Sequence, residues 1–150
     1  MASYIPNSTK GRLLGDNAQI STAIDMEADT IKAMLLTSSH TGDVDADVFI
    51  SAISANEIGT TGSYTTGAGN GFSVTPAAST DDTNNRGAWD CTDLTATSAT
   101  VSAQYLAIYK WTGVAATSPV ICVVDFGSVQ TVSGGTCTIT IPASGLITLS

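Results

Sequence analysis

The sequence predicts an all-β protein, an antiparallel β-sandwich of the jelly-roll or Ig-like kind with an extended N-terminal arm. Short segments alternate apolar and polar residues at a period of two, and clusters of turn-forming residues separate these segments. No long stretch shows the 3.6-residue period of a helix. The 150 residues suit one domain with an arm, so we divide the chain into an arm over residues 1–17 and a β-sandwich domain over 18–150.

The arm differs in charge from the body that follows it. Lys10 and Arg12 are basic, and no acidic residue precedes Asp16. Tyr4 and Ile5 add apolar groups that a solvated tail would not need. One interpretation is a disordered start of the chain. The other, which we adopt as the prediction, is an extended arm that reaches onto a neighbouring subunit, with Tyr4, Ile5, Lys10 and Arg12 as interface residues.

The first half of the body holds two predicted strands, Ala18–Ile24 and Thr30–Thr37, joined by an acidic turn over Asp25–Asp29. In the second strand Ile31, Ala33 and Leu35 form one apolar face, and the opposite face is nearly apolar as well. Residues 46–58 favour a short helix. Residues 59–71 are rich in Gly and Thr and predict a loop.

The second half of the body reads as short strands separated by turns. The longest alternating run lies between Thr100 and Trp111, and the run from Pro119 to Phe126 is apolar on both faces, which predicts a central strand. The predicted strands of this half are Phe72–Pro76, Arg86–Asp90, Thr100–Trp111, Pro119–Phe126, Thr136–Ile141 and Leu146–Leu149.

Composition excludes several classes of partner. The net charge is −8, and Lys and Arg together number 5, so the chain lacks the basic residues that phosphate backbones and anionic membranes require. No apolar run approaches the ~20 residues of a membrane-spanning helix. The first residues lack the apolar core of a secretory signal, which predicts synthesis in a cytoplasm. We therefore expect neither nucleic acid nor membrane as a partner.

Acidic residues alternate in two turns, at 25, 27 and 29 and again at 43, 45 and 47. Carboxylates at such spacing can bind calcium, but Val48 and Ser54 stand where the EF-hand pattern from Asp43 needs Gly and Glu. Two alternatives remain: turns that share an ion, or solvated turns whose side chains cap the local backbone. We predict no cofactor and assign no metal ligand.

The residues needed for catalysis are sparse. His40 is the single histidine, and Ser39 beside it cannot easily aim at its ring, so we predict an exposed turn residue at His40. Nucleophile-elbow and phosphate-loop motifs are absent from the sequence. Cys91, Cys122 and Cys137 are expected to be thiols, although a bridge between the last two remains possible. The chain is therefore predicted not to be an enzyme.

Trp89 and Tyr105 are predicted core residues, whereas Trp111 stands at the end of a predicted strand. Trp111 either caps a hairpin over the core or anchors an interface, since Trp is favoured in buried contact patches. We include it among the candidate interface residues. The charged residues amount to 12% of the chain, and such a surface favours burial against other protein.

Two stretches resemble small virion proteins of tailed bacteriophages. The first reads DTIKAMLLTSSHT over 29–41 and DVDADVF over 43–49; the second comprises YLAIYKWTG from 105, ATSPVI from 116 and VDFG from 124. The likeness extends over about residues 12–149. It implies a decoration, or cement, protein on the outer capsid surface of the virion. Such a protein, expected to be a homotrimer assembled in the host cytoplasm, bridges subunits of the major capsid protein. The alternative is a tail or fibre component that contacts the host cell.

Overall fold

A computed structural model describes residues 2–14, 23–81 and 86–149. The short helices are α1 (Asn7–Leu13) and α2 (Ile50–Ile53), and single 3-10 turns lie at Ser54–Asn56 and Ala115–Thr117. The strands are β1 (Ile31–Leu36), β2 (Phe72–Ser73), β3 (Pro76–Asp81), β4 (Arg86–Cys91), β5 (Leu94–Lys110), β6 (Val120–Ile139) and β7 (Ile147–Leu149). Among the described residues, no helix is long and apolar enough to span a bilayer.

The strands form two sheets, and the all-β prediction is confirmed. One sheet has the order β2-β1-β5-β6, and the other has the order β3-β4-β7. Each strand pair is antiparallel, and β1 pairs along its whole length with the last six residues of β5. The two long strands β5 and β6 form a hairpin, and residues 111–119 connect them.

The four-stranded sheet is covered on both faces. One buried cluster contains Ile31 and Leu35 of this sheet together with Trp89 and Ile147 of the other, so it lies between the sheets. A second cluster lies on the opposite face, where α2 packs over β1, β5 and β6. The alternation predicted for β1 is confirmed, since residues 31, 33 and 35 enter the first cluster and residues 34 and 36 enter the second.

The strand predicted to be central is instead an edge strand. β6 stands last in the order of its sheet, yet its residues 120–123 are all buried. Ile121 and Cys122 enter the first cluster, while Val120 and Val123 enter the second. The run is therefore apolar on both faces because the sheet is covered on both sides, not because β6 has two strand neighbours.

The long alternation of β5 changes face part-way along the strand. Val101 and Ala103 lie in the first cluster, but Tyr105 and Ala107, which have the same parity, lie in the second. The register between β5 and β6 shifts between Ala103 and Tyr105, where extra residues of β6 form a bulge. The change of face in β5 coincides with this irregularity, so one sequence period contributes to two cores.

Other boundaries differ from the predictions. β5 begins at Leu94 rather than near residue 100, and the run predicted at 136–141 is the end of β6 rather than a separate strand. The short strand β3 was missed because its small, polar residues carry little strand signal. The strand predicted over 18–24 falls largely outside the described residues, and residues 23–24 are not in a strand.

The N-terminal residues fold back on the body instead of extending from it. Residues 7–13 form α1, where an extended arm was predicted. Pro6 precedes the helix with φ −55, which suits a helix start, and the Asn7 N–H donates to the Val44 carbonyl at 2.8 Å. The predicted boundary at residue 17 lies outside the described residues.

Candidate functional site

The N-terminal segment, residues 2–14, pairs with the edge of β6. Tyr4 and Val123 exchange two backbone hydrogen bonds of 2.9 Å, and the Asp125 N–H donates to Ser3 Oγ at 2.9 Å. The buried Thr9 hydroxyl donates to the Val120 carbonyl. The segment therefore covers the start of an edge that would otherwise present unpaired backbone groups.

The Tyr4 side chain enters a buried polar cluster with His40 and Asp47, the Tyr4–His40–Asp47 cluster. The Tyr4 hydroxyl donates to Asp47 Oδ2 and lies 3.1 Å from His40 Nε2. His40 Nε2 lies 3.5 Å from Asp47 Oδ2, and the ring of His40 meets that of Tyr105 edge-on. His40 is 3% exposed, so the prediction of an exposed turn residue is wrong.

Burial sets the protonation states in this cluster. It raises the pKa of Tyr4, and the hydrogen bond to Asp47 raises it further, so the hydroxyl stays a donor. Burial also lowers the pKa of His40, an effect that the charge of Asp47 partly opposes. At neutral pH a protonated phenol and a neutral imidazole therefore face the Asp47 carboxylate. The cluster links the N-terminal segment to the loop that precedes α2.

The two acidic turns, whose acidic residues have the same spacing in the sequence, form the same hydrogen-bonded structure. In residues 25–29, Asp25 Oδ1 accepts from the N–H groups of Glu27 and Ala28, and Asp29 Oδ2 accepts from the Asp25 N–H. Residues 43–47 repeat these bonds at the equivalent positions. A backbone bond from the last residue to the carbonyl of the first closes each turn. The geometry favours backbone capping over an ion site.

The last carboxylate of each turn also receives a side chain from elsewhere in the chain. Lys110 Nζ lies 2.8 Å from Asp29 Oδ2 in the first turn, and the Tyr4 hydroxyl fills the equivalent place at Asp47 in the second. Among the described residues, no three potential metal ligands come together. The last carboxylate of each turn therefore connects that turn to a distant part of the chain.

The two basic residues of the segment have different surroundings. Lys10 is exposed, and its Nζ donates to Asn7 Oδ1 at 3.0 Å. Arg12 is 4% exposed, with its guanidinium carbon 5.3 Å from the centre of the Phe49 ring. No described residue gives the Arg12 nitrogens a hydrogen bond, and burial lowers the pKa of Arg12. Lys10 is thus available to a partner, whereas Arg12 is packed inside.

Three of the predicted interface residues share one surface groove. Tyr4, Ile5 and Lys10 line a groove of about 440 Å³, which we call the Lys10 groove. Its other walls come from β6 and from the region of β7. Because the partly buried Ile5 also packs against the first core cluster, the floor of the groove is fixed by the fold.

Trp111, the fifth predicted interface residue, lies elsewhere. It is half-buried, packs against the second core cluster and meets the Tyr109 ring edge-on at 6.5 Å. The loop at Gly69 lies directly against the Trp111 ring, since a Cβ at Gly69 would lie 2.5 Å from Trp111 Cε2. This packing agrees with the interpretation in which Trp111 caps a hairpin over the core.

The three cysteines are free thiols, so the possible Cys122–Cys137 bridge is not formed. Cys91 and Cys122 are buried in the first core cluster. Burial raises the pKa of Cys91 to about 11 and that of Cys122 to about 12. Thiols held in this form are poor nucleophiles and act as small apolar side chains.

In the comparisons with known proteins, the chain matches no family model, no curated protein and no solved structure.

Proposed function

We propose that this chain is a non-enzymatic decoration protein of a phage head. It binds the outer capsid surface and bridges neighbouring subunits of the major capsid protein. The observation that supports this role best is the distribution of charge. From residue 94 to the end of the chain, the charged side chains are Lys110 and Asp125 alone, although the net charge of the chain is −8. Depletion of charge is typical of surfaces buried against other protein.

The Lys10 groove is the docking surface we propose for the capsid. It combines an exposed ammonium group with lining from Ile5 and Tyr4. A partner side chain with a carboxylate and an apolar stem would meet both kinds of contact. Arg12 would then support the surface through its packing on Phe49, and Trp111 would stabilise the second core cluster, against which it packs.

The geometry of the Tyr4–His40–Asp47 cluster supports a structural role over a catalytic one. His40 and Asp47 are both buried, and none of the described cavities is lined by His40. A general base has to reach a proton on a substrate, and this imidazole is enclosed by the chain itself. We further propose that the two sheets pack as a sandwich, because the first core cluster draws side chains from both.

Rebinding to depleted particles tests this function. Phage particles grown without the chain are titrated with the purified protein, and bound protein is measured after sedimentation. We expect saturation on heads at a fixed ratio to the major capsid protein. Lys10→Ala should weaken binding, while Lys32→Ala, which removes an ammonium bonded to Ser73 Oγ on the opposite edge strand, should not. Binding confined to tails would contradict the proposal and favour the tail or fibre alternative, and failure to bind would contradict both.

A further inference from the structure

The outer edge of β6 is covered at its start and bare along the rest of its length. The N-terminal segment pairs with Val123 and bonds to Asp125. Beyond Asp125, no described strand, bridge or backbone hydrogen bond meets the outer edge of β6. Residues 130–139 would span about 33 Å, at roughly 3.3 Å per residue. A bare edge of this length is a template for pairing with another strand.

The opposite edge of the same sheet shows the contrast. There β2 covers one end of β1, and the other end is bonded to the chain at Asn56 and Ile58. The Tyr64 hydroxyl also accepts the Leu35 N–H at 3.0 Å. The chain thus covers the edge of β1 with its own residues and leaves the far part of the β6 edge open.

An apolar groove runs beside the bare edge. Its volume is about 660 Å³, and consecutive residues of β6, 130–132 and 136–139, form one wall. The remaining apolar lining comes from residues in or against the first core cluster, namely Leu35, Val101, Ala103 and the partly buried Phe126. A strand added at the edge would place alternate side chains over this groove. The groove therefore selects a strand that alternates apolar and small polar residues.

We propose that a second copy of this chain occupies the edge, with the two β6 strands antiparallel over residues 130–139. β6 has the pattern that the groove selects, in two short pieces that the register shifts near Gly135 separate. Val132 packs inward beside the exposed Thr131, and Cys137 and Ile139 pack inward on either side of the exposed Thr138. Charge also favours this partner. Two copies with net charge −8 repel each other, but no charged residue lies in 126–150, so they can approach along this edge.

The proposal fixes the number of copies. Pairing of this edge with its own kind closes at two, because the contact is two-fold symmetric and occupies the β6 edge of both chains. It therefore differs from the homotrimer that the phage resemblance implies. The inference does not rest on the decoration role, and it holds or fails in the purified protein alone.

The mass of the purified chain in solution tests this proposal. Sedimentation equilibrium between about 1 µM and about 1 mM, the range in which an interface of modest affinity dissociates, should show a monomer–dimer equilibrium. Thr138→Lys places a charge on the bare edge and should raise the dissociation constant about tenfold or more. The matched control is Thr95→Lys, because Thr95 is exposed and pairs with Thr138 from β5, on the side of β6 away from the bare edge. This control should remain dimeric.

Circular dichroism is used to check that both variants are folded. Loss of the dimer in a folded Thr138→Lys variant then shows that the β6 edge forms the dimer contact. A trimer, a monomer throughout the range, or a dimer that Thr138→Lys leaves intact would each overturn the proposal. Added salt gives a further check, since screening of the −8 charges should tighten a dimer held by neutral surfaces.

Discussion

At the scale of single residues, the burial of His40 shows what local sequence can and cannot predict. A histidine between Ser39 and Thr41 has the neighbours of a surface turn, and on that basis exposure was expected. Its burial depends on Tyr4, which lies 36 positions earlier and covers the turn from the N-terminal segment. Trp89 and Tyr105, by contrast, stand in strand patterns of their own, and their predicted burial is confirmed.

Tyr4→Phe tests the hydrogen bonds of the cluster without changing its packing. The substitution removes the hydroxyl that donates to Asp47 and leaves a buried carboxylate with one donor fewer. We expect a loss of about 1–3 kcal/mol in the free energy of unfolding, measured by urea denaturation. Tyr105→Phe is the matched control, because no hydrogen bond of its hydroxyl occurs among the described residues, and it should change stability little. Equal effects of the two substitutions would contradict the cluster's role.

The lowered pKa of His40 predicts how stability depends on pH. In the unfolded chain the imidazole has its ordinary pKa of 6.5, and burial lowers this pKa in the folded protein. As the pH falls through 6.5, His40 takes up a proton in the unfolded chain but stays neutral in the folded chain, so the free energy of unfolding decreases. Asp25, whose pKa the Ala28 and Glu27 N–H groups lower, loses its contribution only at more acidic pH.

Urea denaturation at about pH 7.5 and about pH 5.5 measures this dependence. The wild-type chain should be less stable at the lower pH. His40→Gln cannot titrate, so its stability should change less between the two conditions. A variant with the same pH dependence as the wild type would show that other groups are responsible.

At the scale of elements, periodicity predicted strands well and failed where the backbone changes phase. β1 has no irregularity in its pairing with β5, and its two faces follow the sequence pattern. β5 has register shifts, and its alternation passes from one core to the other at one of them. Bulges depend on the partner strand, so a pattern within one strand cannot reveal them. The interface residues show the same limit, since Ile5 and Lys10 could be proposed from composition but their groove with β6 and β7 could not.

The loop over 67–71 is held against Trp111 by the absence of a side chain at Gly69. Gly69 has φ +82, and a Cβ there would lie 2.5 Å from Trp111 Cε2. Gly69→Ala should therefore cost backbone strain and also about 1–3 kcal/mol from the clash. Gly127→Ala isolates the strain, because Gly127 has φ +80 and no atom within 4 Å of an added Cβ. In thermal unfolding, the melting temperature of Gly69→Ala should be well below that of Gly127→Ala. Similar melting temperatures for the two variants would contradict the packing of the loop against Trp111.

At the scale of the whole molecule, acidic turns and uncharged strands occupy different parts of the chain. The two acidic turns precede α2, while the long β5–β6 hairpin has Lys110 and Asp125 as its charged residues. The sequence predicted a body that buries much of its surface, and the structure adds two places for such contacts. These are the Lys10 groove, which we propose for the capsid, and the bare edge of β6, which we propose for a second copy.

Immunogold labelling of intact particles tests the central claim, the decoration of the phage head, most directly. An antibody raised against the purified chain is applied to particles from the source lysate. We expect gold spread evenly over the outer surface of the head. Gold confined to the tail or its tip, or no gold on particles that contain the chain by mass spectrometry, would contradict it.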